Sequence, residues 1–258
     1  MRKKSTYIIL IVILLLFFLI VFYFFGIDSI KKANENTTLI VGNRTIWTLE
    51  NKKWKMVPVE YFNNYSWKKF LVFFNQEEKG QYDLWYDDDW YFFDNNKNSI
   101  LLNGDLLAYQ SNHQIDVYPF ELEEDITNLD LVYSYLDENG IKTNDFTSFY
   151  QIPFDFDNDG IFETFYVVSN AFPIDFLPNI IFSLVFMEKN GIIYPIYTDI
   201  SKSEVFNGCK PYFYSFLDID MDKQSEFILS CSAYSVSSTT DMLYQFNNGQ
   251  FQIIVSNQ

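Results

Sequence analysis

Two acidic runs in the distal half of the chain have the residue types and the spacing to hold a metal ion. Asp155, Asp157 and Asp159 alternate, and Glu163 follows four residues later. Asp218, Asp220 and Asp222 repeat the alternation, with Glu226 in the matching place. Four carboxylates within nine residues repel one another unless a hard cation shares their oxygens. In the first run, Gly160 permits the sharp turn that brings the chain back, the Ile161 carbonyl is placed to add an oxygen, and Glu163 closes the shell. An all-oxygen, carboxylate-rich set suits Ca2+ better than zinc or copper, and Mg2+ resists giving up its waters.

The flanks separate this pattern from an EF-hand. The twelfth position of such a loop must be acidic and is Tyr166 here, and Phe165–Val168 reads as strand rather than helix. The pattern instead resembles the calcium loops of FG-GAP and VCBS-type repeats, found in integrin-like β-propellers and many bacterial surface proteins. In those repeats DxDxDG is followed by an acid three positions after the glycine, between two strands. Asp155, Asp157, Asp159, Gly160 and Glu163 match it. The second run matches at Asp218, Asp220, Asp222 and Glu226, with Lys223 in the glycine position. The resemblance covers about the last 110 residues. It implies propeller-like β units stabilised by calcium, presenting a surface to a protein or glycan partner. The first loop is the expected ion site, and the second is the weaker candidate.

The elements around the two runs also repeat. Strands are expected at Thr164–Ser169 and Phe227–Ser232, and hairpins at Leu184–Tyr197 and Met242–Val255. Each hairpin turns on Asn-Gly, at Asn190-Gly191 and Asn248-Gly249. Asp155 and Asp218 are 63 positions apart, and the two Asn-Gly turns 58; a shorter second linker absorbs the difference. Upstream, short runs rich in Thr, Ile, Val and aromatics between Thr38 and Phe120 predict further strands. One segment, Asp125–Asn139, has helical spacing in Ile126, Leu129, Val132 and Leu136, with Gly140 as C-cap and Ile141 packing back. Cys209 and Cys231 fall opposite Phe146 and Val168 when the repeats are aligned. They are either a disulfide or two buried thiols.

Acids outnumber bases 34 to 18, for a net charge of −16. Nucleic acid is disfavoured as a partner, because binding phosphates needs clustered Lys and Arg. Tyr7–Ile27 carries no charge, and at about 1.5 Å per residue would span roughly 30 Å, the hydrocarbon thickness of a bilayer. Arg2, Lys3 and Lys4 precede it, which places the N-terminus in the cytoplasm and the remainder outside. The expected organisation is a cytoplasmic tip and membrane anchor over 1–28, a tether over 29–38 and a membrane-proximal β region over 39–122. A connecting helix over 123–140 and a two-copy acidic-loop β domain over 141–258 complete it. The fold class is mainly β: one transmembrane helix, then an antiparallel β ectodomain with propeller-like units and one amphipathic helix.

The sequence has no G-x-S-x-G elbow, phosphate loop or H-E-x-x-H helix, and its one histidine, His113, lies in a loop-like context. The expected function is an extracytoplasmic binding module. An enzyme acting on envelope polysaccharide and an accessory subunit of an envelope complex are the alternatives.

Overall fold

Alternation along the distal strands sends neighbouring side chains to opposite faces, and here both faces are buried. In β11 (Glu163–Ser169), Phe165 and Val167 enter one apolar cluster while Tyr166 and Val168 enter another. In β15 (Glu226–Ala233), Phe227 and Leu229 face the first of these clusters and Ile228 faces a third. Strands covered on two sides read as continuous apolar runs, which is why these segments show so little polar alternation.

The computed structural model describes residues 37–42, 45–87, 89–100, 105–142, 146–171, 180–202, 209–233 and 239–257. Its strands form three antiparallel sheets. The first distal sheet is a meander of β10 (Ser148–Phe154), β11, β12 (Ile180–Lys189) and β13 (Ile192–Lys202). The second repeats that path with β14 (Cys209–Asp218), β15, β16 (Thr239–Asn247) and β17 (Gln250–Ser256). It gains a fifth strand, β9 (Asp116–Tyr118), on the free side of β14. In each meander an acidic run forms the turn between the first two strands, and Asn-Gly forms the turn between the last two. Asn190, Gly191, Asn248 and Gly249 all have positive φ, as a tight two-residue hairpin turn requires.

The third sheet takes β1 (Thr37–Val41), β2 (Thr45–Glu50), β3 (Lys53–Met56), β4 (Lys68–Phe74), β5 (Glu77–Tyr86), β6 (Trp90–Phe93), β7 (Ser99–Ile100) and β8 (Leu106–Gln110). β8 is inserted between β1 and β4. A 3-10 segment, Val59–Tyr65, follows Pro58 and buries Phe62 against the sheet's far side.

The sheets stack face to face. The meanders share a cluster dominated by Phe154, Phe156, Phe165, Phe213, Phe216 and Phe227. A bulge at Tyr214 lets Phe213 and Phe216, three apart, point into it together, while Tyr214 itself turns the other way. The second meander's other face meets Leu39, Val41, Trp47, Leu107 and Tyr109 of the eight-stranded sheet. Helix α1 (Leu129–Glu138) covers the outer face of the first meander with Val132, Tyr135 and Leu136. It is capped by the Asn128 side chain and stopped at Gly140 (φ +75°), and the buried Ile141 returns its N–H to Leu136.

Buried polar contacts tie the second meander to the eight-stranded sheet. Asp241 accepts from Ser230 (2.6 Å) and from Thr45 of β2 (2.7 Å), and Asn257 donates to both Thr45 and Asp241. The Tyr214 hydroxyl donates to the Leu106 carbonyl and accepts from the Gly42 N–H. Cys209 and Cys231, on adjacent strands, form a disulfide with Cα atoms 5.4 Å apart.

Two expectations are corrected. The span over residues 7–27 lies outside the described residues, and no described helix is long and apolar enough to cross a membrane. The described helices are the seven-residue 3-10 segment and the ten-residue α1. At about 1.5 Å per residue, α1 reaches only half of a bilayer's hydrocarbon core. Among the described residues the fold class is therefore stacked antiparallel β with two short helices, and neither of them is a transmembrane helix. The single-pass localisation, with the N-terminus inside and the remainder outside, has no described helix to support it. β1 takes in Thr37 and Thr38, the last two residues of the expected tether over 29–38, and both are buried.

Candidate metal centre in the acidic turns

The two acidic turns share one backbone conformation. In the first, both Asp155 oxygens accept backbone N–H groups, from Asp159 and Gly160, each at 3.0 Å. Asp159 accepts from the Ile161 N–H, and Glu163 accepts from the Phe156 N–H at 2.8 Å. In the second, Asp218 accepts from Lys223 N–H, Asp222 from Gln224 N–H, and Glu226 from Ile219 N–H at 2.9 Å. Positive φ recurs at matched places, Asn158 with Met221 and Gly160 with Lys223. Ile161 thus enters the first turn through its N–H, and its side chain is exposed.

Lys223 holds the glycine position at φ +74°. The left-handed region costs an L-residue about 1–2 kcal/mol, part of which glycine's extra freedom in the unfolded chain offsets. Lys223→Gly is therefore expected to stabilise the chain by about 0.5–1 kcal/mol. Urea denaturation measures this directly, and an unchanged or lower midpoint would contradict the strain argument.

The turns differ in what faces their carboxylates. Asp155, Asp157 and Glu163 each bring an oxygen within 4.8 Å of the others. The ammonium of Lys189, at the end of β12, reaches this group. It is hydrogen-bonded to Asp157, 2.6 Å from Glu163 Oε1 and 3.6 Å from Asp159. Burial works against its charge, but the hydrogen bonds to Asp157 and Glu163 outweigh that and hold its pKa above the ordinary lysine value. The β11–β12 register explains the contact: Thr164 pairs with Glu188, so Lys189 lies beside Glu163.

The second turn gathers Asp218, Asp220 and Asp222 within the same 4.8 Å. Here Phe227 pairs with Tyr244, so the position beside Glu226 is Gln245. Its amide donates to Glu226 Oε1 at 3.1 Å, the place that the Lys189 ammonium takes in the first turn. Among the described residues no ion pair reaches these four carboxylates. Burial raises the Asp218 carboxyl above its ordinary value. Burial and then the Asp222 charge push Asp220 up to about 6. Burial, followed by the Asp220 charge, raises Glu226 well above the usual range. Asp218 is 5% exposed, and its Oδ1 has no hydrogen-bond partner. Both Glu226 oxygens are engaged, so Glu226 braces the turn while the three aspartates converge.

An open groove of about 490 Å³ runs beside the turns. Tyr118, Phe120, Phe154 and Phe162 supply rings, and Glu121, Glu123 and Asp155 supply carboxylates. Phe162 is 66% exposed, and Glu123 accepts from the Gln151 amide at 2.7 Å. Residue spacing within any one segment shows neither this groove nor the role of Lys189. The groove joins three segments, and Lys189 meets its acids only through strand register. His113 ties the segment between β8 and β9 to the second turn. Its Nε2–H donates to the Ile219 carbonyl at 2.7 Å, which leaves Nδ1 to accept from Ser111. No protein-family model, no curated protein and no solved structure matches this chain.

Proposed function

We propose that the chain is a non-catalytic binding module that seats a Lys- or Arg-bearing segment of a partner protein in the groove beside its acidic turns. The groove's composition carries this reading. Its rings offer π-faces to a cation and apolar area to the cation's aliphatic stem, and the polar groups at hand include three carboxylates. A net charge of −16 draws basic partners and repels acidic ones. A calcium-class cation in the second acidic turn serves as a structural support on this reading, stiffening the rim at Ser225.

The test is an array of ten-residue peptides, with and without Lys and Arg, probed with the full chain and with Glu121→Gln and Phe162→Ala. The wild type is expected to retain Lys- and Arg-bearing peptides. Each substitution should weaken binding about tenfold, equivalent to about 1.4 kcal/mol, and added salt should weaken it further. Equal retention of neutral peptides, or variants that bind like the wild type, would refute the proposal. So would hydrolysis of a polysaccharide that is lost in Glu121→Gln or Glu123→Gln, since two carboxylates flanking a bound sugar are what glycosidic cleavage requires.

A further inference from the structure

We propose that the two acidic turns have diverged in what neutralises them. Lys189 is the built-in cation of the first, and the second is the chain's divalent-cation site. This deepens the cation support invoked above and rests on it. Two turns that match in the hydrogen bonds from Gly160 and Lys223, from Ile161 and Gln224 and from Phe156 and Ile219, and in their positive-φ positions, differ in the residue set beside the closing glutamate. In the first turn that position is Lys189, whose ammonium contacts three carboxylates at once. A divalent ion entering there would have to displace a like charge already bonded to the same oxygens. The first turn therefore does not fit a metal, although its sequence is the closer match to a calcium loop.

In the second turn the position is Gln245, which carries no charge. Three aspartates remain with an oxygen each inside a 4.8 Å circle, and the buried Asp218 Oδ1 has no hydrogen-bond partner; Asp157 Oδ1 of the first turn also lacks one, but there the Lys189 ammonium is bonded to the same carboxylate. An oxygen hidden from water without a donor is costly unless something else satisfies it. A hard divalent cation does so while neutralising the group, and an oxygen-only donor set of this charge favours Ca2+. Asp218, Asp220 and Asp222 would hold the ion. Glu226, fixed by Ile219 N–H and Gln245, keeps the turn open around it.

Radioactive calcium and equilibrium dialysis on the purified full chain count the bound ions. The wild type is expected to hold one equivalent, with a dissociation constant on the order of 0.1–1 mM. Lys189→Gln copies the second turn's arrangement into the first and should raise the count to two. Gln245→Lys copies the first into the second and should reduce it to none, as should Asp220→Asn. Circular dichroism with and without Ca2+ checks that each variant is folded, and a Lys189→Gln chain that folds only with Ca2+ present supports the proposal. A wild type that binds two ions or none overturns it, as does Lys189→Gln binding one. If calcium binding fails while the peptide array behaves as described, the division of the turns is wrong and the groove reading stands. The converse pattern separates them the other way.

Discussion

Phe165→Ala is expected to destabilise the chain by about 4 kcal/mol, the range for truncating a fully buried aromatic. Phe165 is wholly buried at the centre of the cluster that joins the two meanders. Its ring lies 5.2 Å from Phe216, 5.4 Å from Phe213, 5.8 Å from Phe156 and 5.9 Å from Phe227. These rings come from both meanders and are stiff, and although Met187 pairs with Phe165 across the sheet, one methionine fills only part of the space, so a cavity would remain. Phe251→Ala is the internal comparison. That ring touches the same cluster from a half-buried position on β17 and should lose clearly less. Urea unfolding followed by circular dichroism supplies both numbers. A Phe165→Ala loss under about 1.5 kcal/mol would mean that the meanders are not held together through this cluster.

The second large effect lies at the other interface. Asp241→Ala is expected to cost about 3 kcal/mol, because it strands the hydroxyl protons of Thr45 and Ser230 in a buried setting and removes one acceptor of the Asn257 amide. Asp241 also makes stability depend on pH. Burial raises its carboxyl above the ordinary value, and the hydrogen bonds from Ser230 and Thr45 only partly oppose this. The folded chain therefore holds the Asp241 proton more tightly than the unfolded chain does. This contribution to stability is full below the unfolded carboxylate range and is lost as pH rises through the elevated value. Asp241→Asn cannot ionise, so its melting temperature relative to wild type should improve across that window. A constant difference between the two at every pH would contradict the buried-carboxyl account.

Local signals in the sequence are legible where local chemistry decides the structure. Asn190-Gly191 and Asn248-Gly249 both turn hairpins, because few other dipeptides accept two positive φ angles in succession. Gly140 and Ile141 end the helix for similar reasons. The expected helix begins too early, at Asp125, because apolar spacing continues through Ile126; the Asn128 cap starts it at Leu129. The 3-10 segment after Pro58 is hidden from the sequence, as Val59–Tyr65 has the β-branched and aromatic content of a strand. Long-range pairings are not legible at all. The three residues of β9 give no hint that they extend the second meander, and nothing near Leu106–Gln110 indicates insertion between β1 and β4.

The acidic turns show the same division. Alternating carboxylates point to both turns, and glycine at position 160 against lysine at 223 ranks the first above the second. That ranking leaves out the cation that strand pairing brings to the first turn. A lysine far along the chain becomes a neighbour of Glu163 only once β11 and β12 pair. The Asn-Gly turns do not reveal it: Lys189 stands one residue before Asn190 and Gln245 three before Asn248, and neither turn joins the strands that bring these residues beside Glu163 and Glu226.

Helix α1 lies across the outer face of the first meander and takes up Tyr166, Val168, Phe182 and Phe186, side chains that would otherwise seek another sheet. It acts as a terminator. Columns of β units built from near-identical repeats tend to grow by adding copies at an open end, and they stay discrete only when their ends are sealed. Here one end is closed by a different kind of secondary structure, whose polar side faces solvent. A lengthened relative would have to insert its additional meander beneath the helix, leaving the helix as the last layer.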